Sequence, residues 1–153
     1  MTTSILTLRR RRGAYVLADR PATLRTGVSM RRGEIRTAAG SFEVASTDVH
    51  RLGMVARSAG RPVVRLQPDE SRVPGPGGPV RWAPGRCVSA LTRGANRITV
   101  HQARRPGAPV RVEVTGAWAE LDLVVLSACF AVLSRRRGRT FTIMAIVGAI
   151  GPH

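Results

Sequence analysis

Residues 121–139 read LDLVVLSACFAVLSRRRGR, and the fold class can be inferred from this segment. An almost uninterrupted apolar run, 121–133, ends in the basic block 135–139. A second apolar run, 141–150, follows and is rich enough in β-branched residues to form either a final strand or a second short helix. A helix that is apolar on every side must be wholly buried, in protein or in lipid. The environment of the first run therefore determines the class of protein.

Charged residues flank the first run in the order that a helix favours. Glu120 and Asp122 lie in its first turn, where carboxylates interact well with the positive end of the helix dipole. Arginines 135–137 lie in the last turn, where cations are favoured, and Gly138 is suited to the position just after a helix. The pattern predicts one helix over residues 119–137, about five turns long.

The length of the uncharged run argues against a membrane span. Residues 123–134 are short of the roughly 20 needed to cross a bilayer. Extending the span over residues 135–139 would bury four arginines, at a cost on the order of 10 kcal/mol. We therefore expect a core helix enclosed by the rest of the chain. The alternative is a membrane-associated protein in which both apolar runs insert as a hairpin.

Upstream of the helix the hydrophobic period changes to two. Val110, Val112 and Val114 alternate with Arg111 and Glu113, as in a strand with one buried face. Such short alternating segments recur at intervals typical of an all-β barrel or sandwich. We expect a mainly β fold, a single antiparallel β-barrel-like domain that encloses or packs on the hydrophobic C-terminal helix.

The remaining strand candidates are short, and turn residues separate them. Residues 68–85 are dense in proline and glycine, which excludes a helix or a central strand and predicts a long surface loop with at most one brief strand. The single domain is expected to span 1–153. The other predicted strands are 14–18, 24–30, 34–37, 42–45, 51–56, 62–66, 80–82, 87–91 and 98–101.

Charge is the strongest compositional signal. The net charge is +16, and all 25 basic residues are arginine. Such a surface attracts nucleic acid, anionic lipid and acidic proteins, and guanidinium groups bind phosphate bidentately. Each arginine cluster is either a solvated or capping charge or an anion-binding site. The candidate anion-binding residues are Arg9, Arg10, Arg11, Arg12, Arg135, Arg136, Arg137 and Arg139.

The cysteines and the N-terminus indicate a cellular compartment. Cys87 and Cys129 lie in apolar contexts without metal-binding spacing, so we expect free buried thiols in a reducing environment. The first residues lack the pattern of a secretory signal. A cytoplasmic protein, with peripheral membrane contact as an option, is the simplest expectation.

No residue pattern indicates catalysis. Asp48 and His50 would share a face on a strand, but a surface hydrogen bond explains them as well. His101 is expected to face solvent, and Glu113 and Glu120 belong to different elements. The histidines and cysteines have no zinc spacing. We therefore expect a non-enzymatic protein without metal or cofactor.

The segment Leu-Asp-Leu-Val-Val-Leu-Ser-Ala-Cys-Phe at 121–130 resembles the ending of phospholipid scramblases. In that family a similar small-Cys-Phe step lies in the buried helix. An all-β chain closed by an apolar helix is likewise similar to the tubby-like barrel group, which includes the scramblases and LURP-one-related proteins. The resemblance implies about twelve strands around the helix and a ligand-binding or scaffold role, with anionic lipid head groups as one ligand.

The chain also departs from that group. It is shorter, carries residues 141–153 beyond the helix and has no acidic calcium-binding segment, so scrambling activity is not expected. An acidic protein partner and non-specific nucleic-acid binding are the alternatives to lipid. No aromatic residue lies beside the arginine clusters in the sequence, which disfavours a stacking platform for single strands.

Overall fold

Antiparallel strands followed by one helix make up the fold. The computed structural model describes the backbone of residues 2–48, 50–105 and 107–150, and their side chains as far as residue 138. Within this part of the chain, the elements are β1 (Thr3–Arg11), β2 (Ala14–Leu17), β3 (Thr23–Thr26), β4 (Arg32–Thr37), β5 (Gly40–Ser46), β6 (Met54–Ser58), β7 (Arg61–Leu66), β8 (Arg81–Ala83), β9 (Val88–Arg93), β10 (Asn96–His101), β11 (Val110–Thr115) and α1 (Leu121–Ile150).

The strands form one nearly closed barrel. Their order is β7-β6-β5-β4-β3-β2-β1-β11-β10-β9-β8, so that β1 pairs with β11, from Thr3 opposite Thr115 to Leu8 opposite Val110. The mainly β fold predicted from the alternating segments is confirmed. All other neighbouring strands are consecutive in the sequence, and most are joined by short turns.

The proline- and glycine-rich stretch 68–85 spans the remaining gap between β7 and β8. Arg72 pairs with Arg65 of β7 through backbone hydrogen bonds of 2.7 and 2.8 Å, and Ser71 pairs with Val80. A bridge of two residues therefore closes the wall where a full strand is lacking. The brief strand predicted over 80–82 exists as β8, shifted by one residue.

Helix α1 occupies the interior of the barrel. From Leu123 to Ser134 every side chain is buried, and Phe130 is among the largest fully buried groups. Alternate wall residues such as Val112 face the helix and belong to the same core. A helix without a polar face is stable in this position because strands surround it. Among the described residues, no helix combines the length and hydropathy required to cross a bilayer.

The helix starts two residues later than predicted. Glu120 has a left-handed backbone (φ 49°), which turns the chain from the barrel wall into its interior, and its carbonyl accepts the Val124 amide at 3.1 Å. Asp122 lies in the first turn, as expected, and pairs with Arg20 of the β2–β3 turn. This ion pair fixes the start of the helix at that end of the barrel.

The predicted end of the helix at residue 137 is wrong. The backbone continues as one helix to Ile150, so the run 141–150 is neither a strand nor a separate helix. Gly138 does not stop the helix. A Cβ at this position would lie 2.9 Å from Cδ and 3.0 Å from Nε of Arg51, so the glycine allows the Arg51 side chain to cross close to the helix backbone.

Three local predictions also differ from the structure. Residues 9–11, predicted as a basic stretch before the first clear strand, form the end of β1 and pair with β2. Strand β6 starts at Met54 and not at residue 51, because Arg51 has a left-handed backbone (φ 54°) that does not fit a strand. Cys129 is buried as expected, whereas Cys87 is exposed in the loop before β9.

We expect Phe130→Ala to lower the free energy of unfolding by about 3–5 kcal/mol, because it opens a cavity in the centre of the core. Urea unfolding followed by circular dichroism would measure the change. Ile5→Ala is the control, since Ile5 is 62% exposed on the outer wall and should shift stability by less than about 0.5 kcal/mol. Equal effects of the two substitutions would contradict the enclosed position of the helix.

An arginine collar as candidate anion site

The helix leaves the barrel at one end, which we call the exit end. The turns that follow β1, β3, β5, β7, β8 and β10 form this end, as the antiparallel order requires. Arginines from distant parts of the chain meet there around the emerging helix. We call this group the arginine collar, and it consists of Arg10, Arg31, Arg51, Arg135, Arg136 and Arg137.

The three helix arginines each reach a different loop of the exit end. Arg135 Nη1 donates to the Gly85 carbonyl at 3.4 Å. Arg136 Nη1 donates to the Ala103 carbonyl at 2.9 Å. Arg137 Nε donates to the Val28 carbonyl at 3.2 Å. These bonds tie the helix to the wall and hold three positive charges in a ring around it.

Of the four N-terminal candidates, only Arg10 joins the collar. It follows the buried Leu8 by two positions and therefore points to the inner side of the wall, where it lines pockets together with Arg137. Arg9 and Arg11 project from the outer face, and Arg12 lies exposed in the β1–β2 turn with φ 48°. The side chain of Arg139 lies outside the described part of the chain.

Two small depressions lie inside the collar. One has a volume of about 150 Å³ and includes Arg10, Arg136 and Arg137 in its lining. The other has about 210 Å³ and shares Arg10, Arg137 and Tyr15 with the first. Tyr15 is opposite Arg10 in the β1–β2 register. The fold thus places an aromatic ring and a hydroxyl beside arginines, although no aromatic lies beside them in the sequence.

Arg51 is the most constrained member of the collar. Its side chain is only 5% exposed, and its Nη1 donates to the Ser29 carbonyl and, at 3.2 Å, to the Ser134 carbonyl of the helix. Both partners are neutral. Burial lowers the pKa of the Arg51 guanidinium, and the nearby charges of Arg31 and Arg137 lower it further.

A buried cation beside like charges ordinarily has a carboxylate partner. Within the described residues no carboxylate forms an ion pair with Arg51, and that of Asp48, in the same loop, accepts the Leu52 amide. The Arg51 guanidinium therefore carries a buried positive charge that no ion pair among the described residues offsets.

Two buried hydroxyl groups at the exit end also lack hydrogen-bond partners among the described residues. They are Ser134 Oγ, next to the carbonyl that Arg51 binds, and Thr47 Oγ1, in the loop after β5. An unsatisfied buried polar atom costs about 1–3 kcal/mol. The polar groups around the helix exit are thus incompletely satisfied by the described protein atoms.

A larger groove adjoins the collar on the outer wall. It has a volume of about 700 Å³ and includes Arg86, Arg104, Arg111 and Arg136 in its lining. Arg136 belongs to both the groove and the collar. Positive charge therefore extends from the helix exit onto the barrel wall.

The cavity beside the β7–β8 gap has a mixed charge. It has about 580 Å³, and Glu70 lies 3.6 Å from Arg72 in its lining. The carboxylate offsets one of its two arginines, Arg65 and Arg72. This cavity is therefore a weaker candidate for an anion than the collar.

Of the other chemistry-bearing candidates, Asp48 and His101 have structural partners and Cys129 is buried. Asp48 accepts the Leu52 amide at 2.9 Å in a loop, so Asp48 and His50 are not on a strand. His101 lies on the outer wall, 3.3 Å from Glu113. Burial raises the pKa of the Cys129 thiol to about 12, which keeps it protonated at neutral pH. Among the residues described, no three metal-ligating side chains converge.

Sequence reasoning missed Arg31, Arg51 and Tyr15 as site residues. Arg31 directly follows the predicted strand 24–30, and Arg51 is the first residue of the predicted strand 51–56. Their role depends on contacts with a helix more than eighty positions away, for which the local sequence carries no signal. Comparisons with protein-family models, with curated proteins and with solved structures found no match.

We expect Gly138→Ala to give no gain in stability, although alanine in a helix interior is ordinarily about 1 kcal/mol better than glycine. The new Cβ would press on the buried Arg51 side chain. In an Arg51→Ala background the same change should stabilise by about 0.5–1 kcal/mol. Urea unfolding of the four proteins of this double-mutant cycle measures the difference. An equal effect in both backgrounds would show that Arg51 does not pack on Gly138.

Proposed function

We propose that this protein is a non-enzymatic binding protein whose arginine collar takes an oxyanion group, most simply the phosphate of a larger ligand. The observation that carries the proposal is the buried Arg51 guanidinium, whose charged neighbours are Arg31 and Arg137 and whose hydrogen-bond partners among the described residues are two carbonyls. A bound anion would supply the missing negative charge. The forked guanidinium group suits phosphate oxygens geometrically.

The arrangement of the collar supports a phosphate-sized group over a large flat surface contact. Arg10 and Arg137 flank the same depression from opposite ends of the sequence, and Tyr15 adds a hydroxyl group to it. Charge-assisted hydrogen bonds from arginine are stronger than neutral ones, particularly where the site is partly shielded from water.

A lipid head group is favoured over nucleic acid as the source of the phosphate. The resemblance of residues 121–130 to the scramblase ending, in a barrel that encloses its helix, supports this choice. Nucleic acid would use repeated aromatic stacking or a long basic groove, and the collar offers one tyrosine. The cytoplasmic location belongs to the same proposal, since two free thiols suit a reducing compartment and the cytoplasmic leaflet is anionic.

We expect inorganic pyrophosphate to raise the melting temperature of the protein, because a ligand that binds only the folded state stabilises it. At about 100 times its Kd the rise should be about 5–10 °C for a chain of this size. Arg10→Gln combined with Arg137→Gln should remove most of the rise. Differential scanning fluorimetry at constant ionic strength, with chloride as the reference anion, measures it.

The matched control removes the same charge from the outer wall. Arg9→Gln with Arg25→Gln changes two exposed residues whose strand neighbours Leu8 and Leu24 face the core. These substitutions should leave the pyrophosphate effect intact. Loss of the effect in both double variants would show that pyrophosphate acts through net charge, and the collar would not be a site.

A further inference from the structure

The exit end carries exposed apolar residues beside its arginines. Val28, in the loop between β3 and β4, is 83% exposed, and its carbonyl accepts the hydrogen bond from Arg137. Val88, at the exit end of β9, is 42% exposed beside the groove that contains Arg136. Single exposed apolar residues are common on protein surfaces. Here two of them lie next to a concentrated positive charge.

The helix also continues beyond the collar with an apolar sequence. Its backbone is helical to Ile150, and residues 140–150 read TFTIMAIVGAI, without a charged residue. At 1.5 Å per residue these positions extend about 16 Å. This is about half of the roughly 30 Å hydrocarbon core of a bilayer, so the segment is too short to cross and long enough to enter one leaflet.

From these observations we propose that the exit end lies on an anionic membrane, with residues 140–150 inserted into one leaflet, Val28 at the outer edge of that leaflet and the collar at the depth of the lipid phosphates. This inference rests on the proposed function, because the same arginines bind the phosphate groups. Arginine suits this depth, since its aliphatic stem can lie in apolar surroundings while the guanidinium reaches the head groups.

Charge decides between a membrane and a second copy of the chain as the occupant. A symmetric dimer through this end would bring two collars together, and their like charges would repel. An anionic bilayer has negative phosphate groups at its surface and apolar chains beneath them. The exit end matches this order, because the arginine collar comes first along the helix and the apolar residues 140–150 follow. A nucleic acid would match the arginines alone and leave the apolar segment in water.

The first test is tryptophan quenching in the full-length chain. Val28→Trp places a reporter at the exit end, and Ile5→Trp places a matched reporter on the exposed outer wall. Trp82 and Trp118 contribute the same background to both. With vesicles of phosphatidylcholine and phosphatidylserine carrying brominated acyl chains, we expect the Val28→Trp reporter to lose several times more fluorescence than the Ile5→Trp reporter. Vesicles of brominated phosphatidylcholine without phosphatidylserine should quench neither the Val28→Trp reporter nor the Ile5→Trp reporter.

The second test measures vesicle affinity by co-sedimentation. Ile146→Asp should weaken binding to the anionic vesicles about tenfold or more, because a charge replaces an isoleucine that the proposal places among the acyl chains. Ile5→Asp makes the same chemical change on the outer wall and should have little effect. Neither variant alters the pyrophosphate site, so both should keep the rise in melting temperature.

The outcomes separate this inference from the proposed function. The protein could bind vesicles while the Val28→Trp and Ile5→Trp reporters are quenched equally and the Ile146→Asp and Ile5→Asp variants have equal vesicle affinity. This result would overturn insertion into the leaflet and leave the collar as a phosphate site. Pyrophosphate could stabilise the protein although the protein does not bind vesicles. This result would also overturn the membrane inference, whether or not the protein binds nucleic acid instead. Loss of both vesicle binding and pyrophosphate stabilisation would overturn the two proposals together.

Discussion

Burial of an apolar helix inside a barrel of strands is the constraint on which the rest of the structure depends. The side chains from Leu123 to Ser134 are covered on all sides, so the helix cannot leave the barrel without exposing most of the core. The ion pair between Asp122 and Arg20 fixes one end of the helix. At the other end the chain must emerge through a ring of loops, and the residues that first meet water there are arginines.

The sequence predicted the types of secondary-structure element better than the end of the helix or the closure of the barrel wall. The run 121–133 indicated a buried helix and the alternation in 110–114 a strand with one buried face, and both are confirmed. The predicted end of the helix was wrong because glycine can serve two purposes at position 138. It can end a helix, or it can let another side chain pass close to the helix backbone, and the position of Arg51 shows that it does the second. The closure of the wall by Ser71 and Arg72 is likewise a long-range pairing without a local pattern.

The candidate site was predicted in part, for a comparable reason. The clusters 9–12 and 135–139 were recognisable as charge, but their convergence depends on the strand register. The alternation of β1 selects Arg10 and excludes its neighbours, whereas all three helix arginines that are described reach the exit loops. Arg51 could not be predicted, because its burial follows from packing against the helix. The grouping of these arginines around the helix exit is consequently a property of the fold and not of either cluster.

Nuclear magnetic resonance of the arginine Nε–H groups tests the central claim most directly, because it reports on each guanidinium separately. During a titration with inorganic pyrophosphate, we expect large shifts at Arg10, Arg51 and Arg137. Arg9 and Arg25, on the outer wall, should show small ones. Shifts of similar size at all five residues would mean that the anion samples the whole basic surface and that the collar is not a distinct site.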